Sequence, residues 1–327
     1  MSCSRLAVFL AMLPFSARAQ VQSALNPKSE QARQIAEVSW VLFIGASVIF
    51  LLVIFLLILA MYGPSRIRGQ LGRRSLIVGA GIAFPVAVLS ALLVYALSAM
   101  SLMAITGSPP AARIEVTGEM WWWRVRYLDQ DGQPLFETAN DIRIPAGVPV
   151  EFVLKSDNVI HSFWVPNLAG KLDMVPGHVN RLRMTAAEPG LFRGQCAEYC
   201  GAQHANMMFE VRALSPADFQ AWLTSQRLPA KEPADAWLQP GRQITMQLCA
   251  QCHTIRGTEA AGTIGPDLTH VGSRSSLAAG VLPNNVGTLA GWIAGSQHIK
   301  PGNQMPSFDE LSAADLRAVA RYMESLK

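Results

Sequence analysis

Two long apolar runs, a stretch of short alternating segments and a helical tail divide this chain before any motif is considered. Trp40 to Tyr62 carries no charge and, at about 1.5 Å per helical residue, is long enough to cross a hydrocarbon core of about 30 Å. Leu76 to Ile105 is a second uncharged run, with Pro85 as a kink site. The pattern predicts a transmembrane hairpin over 38–106, with helices at about 40–62 and 76–105 and a loop at 63–75. That loop holds Arg66, Arg68, Arg73 and Arg74 and no acid, which makes it cytoplasmic and sets everything after the second helix outside. Ahead of the hairpin, Arg5, the apolar run Leu6 to Phe15 and Ala17-Arg-Ala19 have the order of a secretory signal over 1–19, leaving 20–37 as an external N-terminal segment.

From Arg113 to about Arg212 the period changes to that of strands. Ile114-Glu-Val-Thr, Trp123-Arg-Val-Arg-Tyr, Ile142-Arg-Ile, Val150-Glu-Phe-Val-Leu and Arg181-Leu-Arg-Met are separated by turn signals at Asp131-Gly132, Pro145-Ala-Gly147 and Pro176-Gly177. Several short strands in about a hundred residues predict a small β-sandwich or barrel over 107–214. Ser215-Pro-Ala-Asp218 reads as a capped helix start, with the helix ending near Arg227. Pro229, Pro233 and Pro240 mark a linker, so 215–240 is helix plus linker and 241–327 a helical domain. Its last helix is capped by Ser312 and presents Leu316, Val319, Ala320 and Met323 on one face.

Composition agrees with a membrane protein: 50% of the 327 residues are hydrophobic and 15% charged. The net charge of +4 is matched by the four loop arginines, and no basic–aromatic pattern invites nucleic acid.

The candidate chemistry sits in two blocks. Cys196-Ala-Glu-Tyr-Cys200-Gly-Ala-Gln-His204-Ala-Asn-Met207 collects two thiols, an imidazole and a thioether, and His161 lies upstream in Val-Ile-His-Ser-Phe, where a strand runs into a loop. These are soft ligands that suit copper, and two cysteines on one short loop suit a bridged pair of coppers, an electron port. The second block, Cys249-Ala-Gln-Cys252-His253, is the pattern of covalent c-type haem attachment, with His253 as proximal ligand. Met305, in Gly302-Asn-Gln-Met-Pro306, fits the second axial position better than Met323, which belongs to a helical face. Between them, the Pro266 carbonyl is placed to accept the Nδ1 proton of His253 and fix its tautomer. Four of the five cysteines are thereby used, and Cys3 falls in the signal, so no disulfide framework is needed. His178, His270 and His298 stand alone and read as surface or hydrogen-bonding groups, and Met174, Met184, Met208 and Met246 as core or rim side chains.

At these residues the chain resembles a known family. Gly118-Glu-Met-Trp121-Trp-Trp123, Val159-Ile-His161-Ser-Phe-Trp-Val-Pro166, Lys171-Leu-Asp173-Met-Val-Pro-Gly177 and the Cys196–Met207 block are similar to subunit II of the haem-copper cytochrome c oxidases, and 236–327 resembles class I cytochrome c. The resemblance implies a multidomain membrane protein: a two-helix anchor, a cupredoxin-like domain with the binuclear copper centre CuA, and an all-α cytochrome c domain fused at the C-terminus. It implies that Cys196 and Cys200 bridge both coppers, that His161 and His204 each bind one, that Met207 is a weak ligand, and that Glu198 gives its carbonyl to copper and its carboxylate to a magnesium or manganese ion beside subunit I. Trp121 matches the aromatic through which an external cytochrome c donates electrons.

The implied role is the electron-input subunit of a terminal oxidase in a bacterial inner membrane, with both soluble domains periplasmic. Electrons would pass from a periplasmic donor such as cytochrome c through haem c and CuA to subunit I, where oxygen is reduced to water with proton translocation; subunit III is a further implied partner. One departure stands out: the family often carries a Glu at the start of the second transmembrane segment, yet no carboxylate occurs between Glu37 and Glu115. A haem-copper nitric oxide reductase served by the same relay is therefore the nearest alternative. Nitrous oxide reductase would need a larger soluble chain, and a copper-binding or assembly protein would leave the haem without purpose.

Overall fold

The computed structural model describes residues 22–102, 109–233 and 235–327; the signal expected at 1–19, with Cys3, and the expected end of the second apolar helix at 103–105 lie outside them. Helix α1 (Glu30–Tyr62) begins ten residues before the uncharged run, because Ser29 caps it by accepting a bond from the Ala32 amide at 2.9 Å. The connecting loop is itself helical at α2 (Ser65–Leu71). The second apolar helix starts at Arg74, as α3 (Arg74–Val78), and opens into a π turn (Gly79–Ala83) before continuing as α4 (Phe84–Leu102). Pro85 explains the wide turn: it has no N–H to give to the carbonyl four residues back, and its ring crowds that carbonyl. Both helices are long and apolar enough to span a membrane, and their large apolar side chains face outward.

The segment ahead of α1 is tied to the β domain. The Lys28 amide donates to the Asn167 carbonyl at 2.7 Å, the Ala187 amide to the Lys28 carbonyl at 3.0 Å, and Gln22 Nε2 to Gln195 Oε1 at 2.6 Å, next to Cys196. The β domain is therefore seated on the N-terminal end of α1.

That domain is a sandwich of two five-stranded sheets. The first runs β3 (Pro134–Ala139), β2 (Trp122–Leu128), β1 (Ala112–Glu119), β5 (Val150–Ser156), β8 (Asn180–Met184). The second runs β4 (Asp141–Pro145), β10 (Met208–Leu214), β9 (Gly190–Cys196), β6 (His161–Trp164), β7 (Leu172–Met174). Pairing is antiparallel except for β1 with β5 and β4 with β10. Between the sheets Trp123, Phe163 and Phe209 form an aromatic core, with ring centroids 4.5–5.9 Å apart. Met174 and Met184 are buried in this core. Helix α5 (Pro216–Arg227), capped by Ser215, closes one edge by packing Trp222 edge-on against Tyr127.

The predicted linker is shorter than 228–240: a 3-10 turn occupies Ala236–Leu238 and α6 (Gln239–Leu248) already contains Pro240 in its first turn, where a missing N–H costs nothing. After α6 come the Cys249–His253 loop, a small hairpin of β11 (Ser276–Leu277) and β12 (Leu282–Pro283), α7 (Val286–Ile299) and α8 (Ala313–Ser325). Helices α6 and α8 cross so closely that a Cβ at Gly241 would lie 2.1 Å from the Ala318 carbonyl oxygen.

Candidate functional site

The copper block hangs between two neighbouring strands of one sheet. Strand β9 ends at Cys196, and the loop returns as β10 after Met207; β6 pairs with β9, with Phe163 opposite Cys196. His161 opens β6 rather than closing a strand: the preceding Asp157–Ile160 segment is the loop, which reverses the order the sequence suggested. The side chains converge. His161 Nδ1 stands 3.7 Å from Cys196 Sγ, the two Sγ atoms 3.7 Å apart, His204 Nδ1 3.5 Å from Cys200 Sγ, and Met207 Sδ 3.8 Å from Cys200 Sγ. The Glu198 carbonyl lies 3.2 Å from Cys196 Sγ, while its carboxylate faces outward to Lys171 at 3.3 Å.

The donor set fits a bridged metal pair. A disulfide needs sulfurs about 2.05 Å apart. Two thiolates sharing a metal, each at about 2.3 Å and subtending a near-tetrahedral angle, stand about 3.7 Å apart. The thiol pair is electrostatically asymmetric: the hydrogen bond from Cys200 holds Cys196 well below the ordinary thiol range, and the same bond, with burial, pushes Cys200 up. A bound cation would hold both sulfurs as thiolates.

Two neighbours shape this site. Asn158 Oδ1 is 3.2 Å from His161 Nε2, which fixes that nitrogen as the protonated one and leaves Nδ1 for a metal. Gly118 faces the ring from β1, where a Cβ would fall 2.7 Å from His161 Cδ2. Asn158 carries no signal in the sequence; Gly118 opens the aromatic motif, but its reason is visible only across the sheets.

In the C-terminal domain His253 Nδ1 lies 2.8 Å from the Pro266 carbonyl oxygen. Gly265 makes room for the ring, since a Cβ there would meet His253 Cε1 at 2.4 Å. Burial lowers the His253 pKa, opposed by the Pro266 bond, and raises Cys249 to about 11. Cys249, Cys252, His253, Met305 and Met323 all line one mostly apolar cavity. Met305 is held from behind: its carbonyl accepts from Ser296 Oγ and Gln297 Nε2, both at 2.7 Å. Met323 is fixed in the α8 core face. An apolar slot with a tautomer-fixed His, two cysteines and a Met on its walls fits a covalent haem. His270 Nε2 meets the Leu228 carbonyl at 3.1 Å, and burial lowers its pKa.

The cavity is completed by the other domain. Met120, Trp121 and Trp122 form part of its wall. Trp121 is only 8% exposed; its Nε1 donates to the Cys200 carbonyl at 2.8 Å, and a Cβ on Gly302 would lie 3.6 Å from the far edge of the indole. It sits beneath the C-terminal domain. Arg124, bound to Glu119 at 2.5 Å and Glu137 at 2.7 Å, extends Nη2 to the Thr263 carbonyl at 3.1 Å across the same junction.

Comparison with known proteins decides the family. A family model described as cytochrome c oxidase subunit II, periplasmic domain, matches residues 124–214, and one described as cytochrome c matches 238–327. Cytochrome c oxidase subunit 2 of Alkalihalophilus pseudofirmus is 35% identical over 317 residues, covering 93% of this chain and 91% of that one. The chain belongs to the cytochrome c oxidase subunit II family. The Bacillus subtilis subunit 2 is 33% identical over 227 residues, covering 65% of this chain and 62% of that one. A crystal structure of the periplasmic domain of subunit II from Bradyrhizobium japonicum is 29% identical, with a TM-score of 0.33, covering 37% of this chain and 97% of that one.

Subunit II with a fused cytochrome c domain is part of cytochrome c oxidase, an oxidoreductase complex, and has an electron-transfer role in it. The family assignment implies copper of the CuA type, haem c, and association with subunit I in a membrane.

Proposed function

We propose that this chain is the electron-input subunit of a bacterial terminal cytochrome c oxidase, with electrons arriving at the cytochrome c domain and leaving through the copper domain toward subunit I. The observation that carries this reading is Trp121, which hydrogen-bonds the copper loop at Cys200 and walls the haem cavity beside Gly302. A haem c on Cys249, Cys252, His253 and Met305, and a copper pair on His161, Cys196, Cys200, His204, Met207 and the Glu198 carbonyl, supply one-electron chemistry when bound.

The chain's own residues do the rest. Pro266 and Asn158 each hold one imidazole nitrogen so that the other faces its metal. The buried aromatic core keeps water from the thiolates, so that little solvent must reorganise when the charge of the site changes. Trp121 serves as an internal contact between the two sites, in place of a landing point for a separate cytochrome c. An external donor would instead meet the cytochrome c domain. Tethering that domain raises its effective concentration to about millimolar or above.

At the outer surface Glu198 would exchange Lys171 for a magnesium or manganese ion when subunit I is present. Subunit III and a periplasmic cytochrome c complete the proposed partners, and both soluble domains lie in the periplasm.

Electron paramagnetic resonance of the full chain in detergent tests the copper reading. A pair sharing one unpaired electron gives about seven hyperfine lines, and a single thiolate-bound copper about four, which would sink it. Oxygen consumption by the purified complex tests the acceptor; consumption of nitric oxide in its place would assign the relay to a nitric oxide reductase, a reading favoured by the carboxylate-free second helix.

A further inference from the structure

Lys300 lies at the domain junction, in the wall of the haem cavity, and is a ligand of neither site. It follows α7, which kinks at Gly295 before its last turn, and it is 2% exposed. Its Nζ donates to the Trp121 and Asn206 carbonyls, both at 2.7 Å, and to the Ala278 carbonyl at 3.0 Å. Burial lowers its pKa to about 7, but three carbonyls within 3.0 Å need the three N–H groups of the ammonium: one from the aromatic loop, one from the copper loop, one from the haem domain itself. Among the described residues no carboxylate pairs with it.

The Ala278 loop is shaped for this contact. Ala278, Ala279 and Gly280 have φ of 52°, 60° and 85°, three left-handed residues in succession, two of which carry a Cβ. Such a backbone costs free energy and persists only where surroundings over-determine it. Here it aims the Ala278 carbonyl at Lys300 and the Ala279 carbonyl at the Met208 amide, 3.0 Å away in the other domain. Gly280 permits the approach, since a Cβ there would already stand 3.0 Å from Met208 Cβ. Beside it, Gln203 Nε2 donates to the Pro301 carbonyl at 2.9 Å.

We propose that Lys300 is a positioning residue for transfer between the two redox sites: its buried ammonium clamps the haem domain onto the aromatic and copper loops and keeps Trp121 in the wall of the haem cavity. The proposal rests on the relay described above, but its first readout does not.

The test is Lys300→Met in the full chain, which keeps the apolar stem and removes every donor. Hydrogen exchange followed by mass spectrometry is read on peptides covering 203–210 and 276–283, with β1–β2 and α8 as internal references. Loss of even one charge-assisted hydrogen bond carries a factor of about ten, so exchange at the two junction peptides should quicken about tenfold or more while the references hold. In the cofactor-loaded chain, haem reduction by an external reductant should be unchanged. Copper reduction by the haem should slow about tenfold or more and become dependent on viscosity, as for an encounter between loosened domains; Lys300→Arg should recover part of the rate. Unchanged exchange and unchanged transfer would overturn the proposal. So would faster exchange throughout α6 and α8, which would make Lys300 a support of the haem domain's own fold. If the parent chain passes no electron from haem to copper, the relay fails while the exchange result still decides the clamp.

Discussion

The copper and haem sites are built in opposite ways. At the copper site four side-chain donors come from one twelve-residue loop and the fifth from the adjacent strand β6, all held in a sheet whose register places Phe163 opposite Cys196. The donors stand within 4 Å of their neighbours around a fully packed aromatic core. At the haem site His253 and Met305 lie far apart in the chain on irregular loops, around a cavity part of whose wall belongs to the other domain. One site is preorganised by strand pairing, the other by a cofactor-sized hole and a docked neighbour. The two should therefore fail differently.

The largest expected effect separates them outright. Cys200→Ser removes the sulfur that lies within 4 Å of Cys196, His204 and Met207. The seven-line copper signal should vanish, leaving about four lines or no copper, with the haem absorbance of the same sample unchanged. Loss of haem along with copper would show that the two sites are one folding unit.

A matched pair of glycines sharpens the contrast. Each ligand ring rests against a glycine: Gly118 under His161 and Gly265 under His253. Adding one methyl to a packed site costs about 1–3 kcal/mol. Strand β1 is paired on both sides, by β2 and β5, and has nowhere to retreat, so Gly118→Ala should fall near the upper end, with weakened copper binding. Gly265 lies outside any helix or strand, with no paired strand on either side to hold it in place, so Gly265→Ala should cost about 1 kcal/mol, seen as a partial shift of the haem toward high spin. Thermal unfolding and the two spectra check both. Equal costs would mean that the haem loop is as rigid as the sheet.

How much of this was legible in the sequence follows the same division. The copper block was legible because its donors are crowded at helical-turn spacings on one loop, and the haem motif because covalent attachment needs two thiols beside an imidazole. Both apolar helices were visible from charge-free length, and Pro85 marked the distortion that appears as the π turn at Gly79–Ala83. Strands β3, β7, β9 and β10 do not stand out in the sequence. Pro134 opens β3, and Gly190 and Gly194 interrupt the alternation of β9; Gly194 is there because a Cβ would strike the Phe209 ring at 2.1 Å. Gly118, Arg124 and Lys300 matter only through partners supplied by sheet register or domain docking, which local sequence cannot show, and Asn158 only through the turn that brings its Oδ1 back to His161 three residues on. Trp121 was visible as an aromatic, but its burial under the haem domain depends on how the two domains meet.

Asn158 offers a smaller perturbation of the copper side. Asn158→Ala frees the Nε2 proton of His161 from its acceptor at 3.2 Å without touching a donor atom. Loss of such an outer partner costs about 10–100-fold in metal affinity. Competitive titration with a chelator should show that loss with the seven-line pattern retained. An unchanged affinity would mean that burial alone orients the ring.

The smallest expected effect uses two helix caps that are nearly the same in chemistry and differ in place. Ser215 and Ser312 each accept a bond at 3.1 Å from the amide of an Asp three residues on, at the starts of α5 and α8. Replacing either by Ala should cost about 1 kcal/mol, because each loses one acceptor for an otherwise unpaired helix-start N–H. The consequences should part after that. Helix α5 packs its Trp222 on Tyr127 and Phe136, at the edge of the sandwich away from the metal donors. Helix α8 carries Met323, which lines the haem cavity, and Val319, Ala320 and Tyr322 of the same core. Ser312→Ala should therefore broaden or shift the haem spectrum on mild heating, whereas Ser215→Ala should leave the copper spectrum unmoved up to the unfolding transition. If Ser215→Ala disturbs copper as readily, the sheet does not insulate its site, and the contrast between the two centres is one of ligand spacing alone.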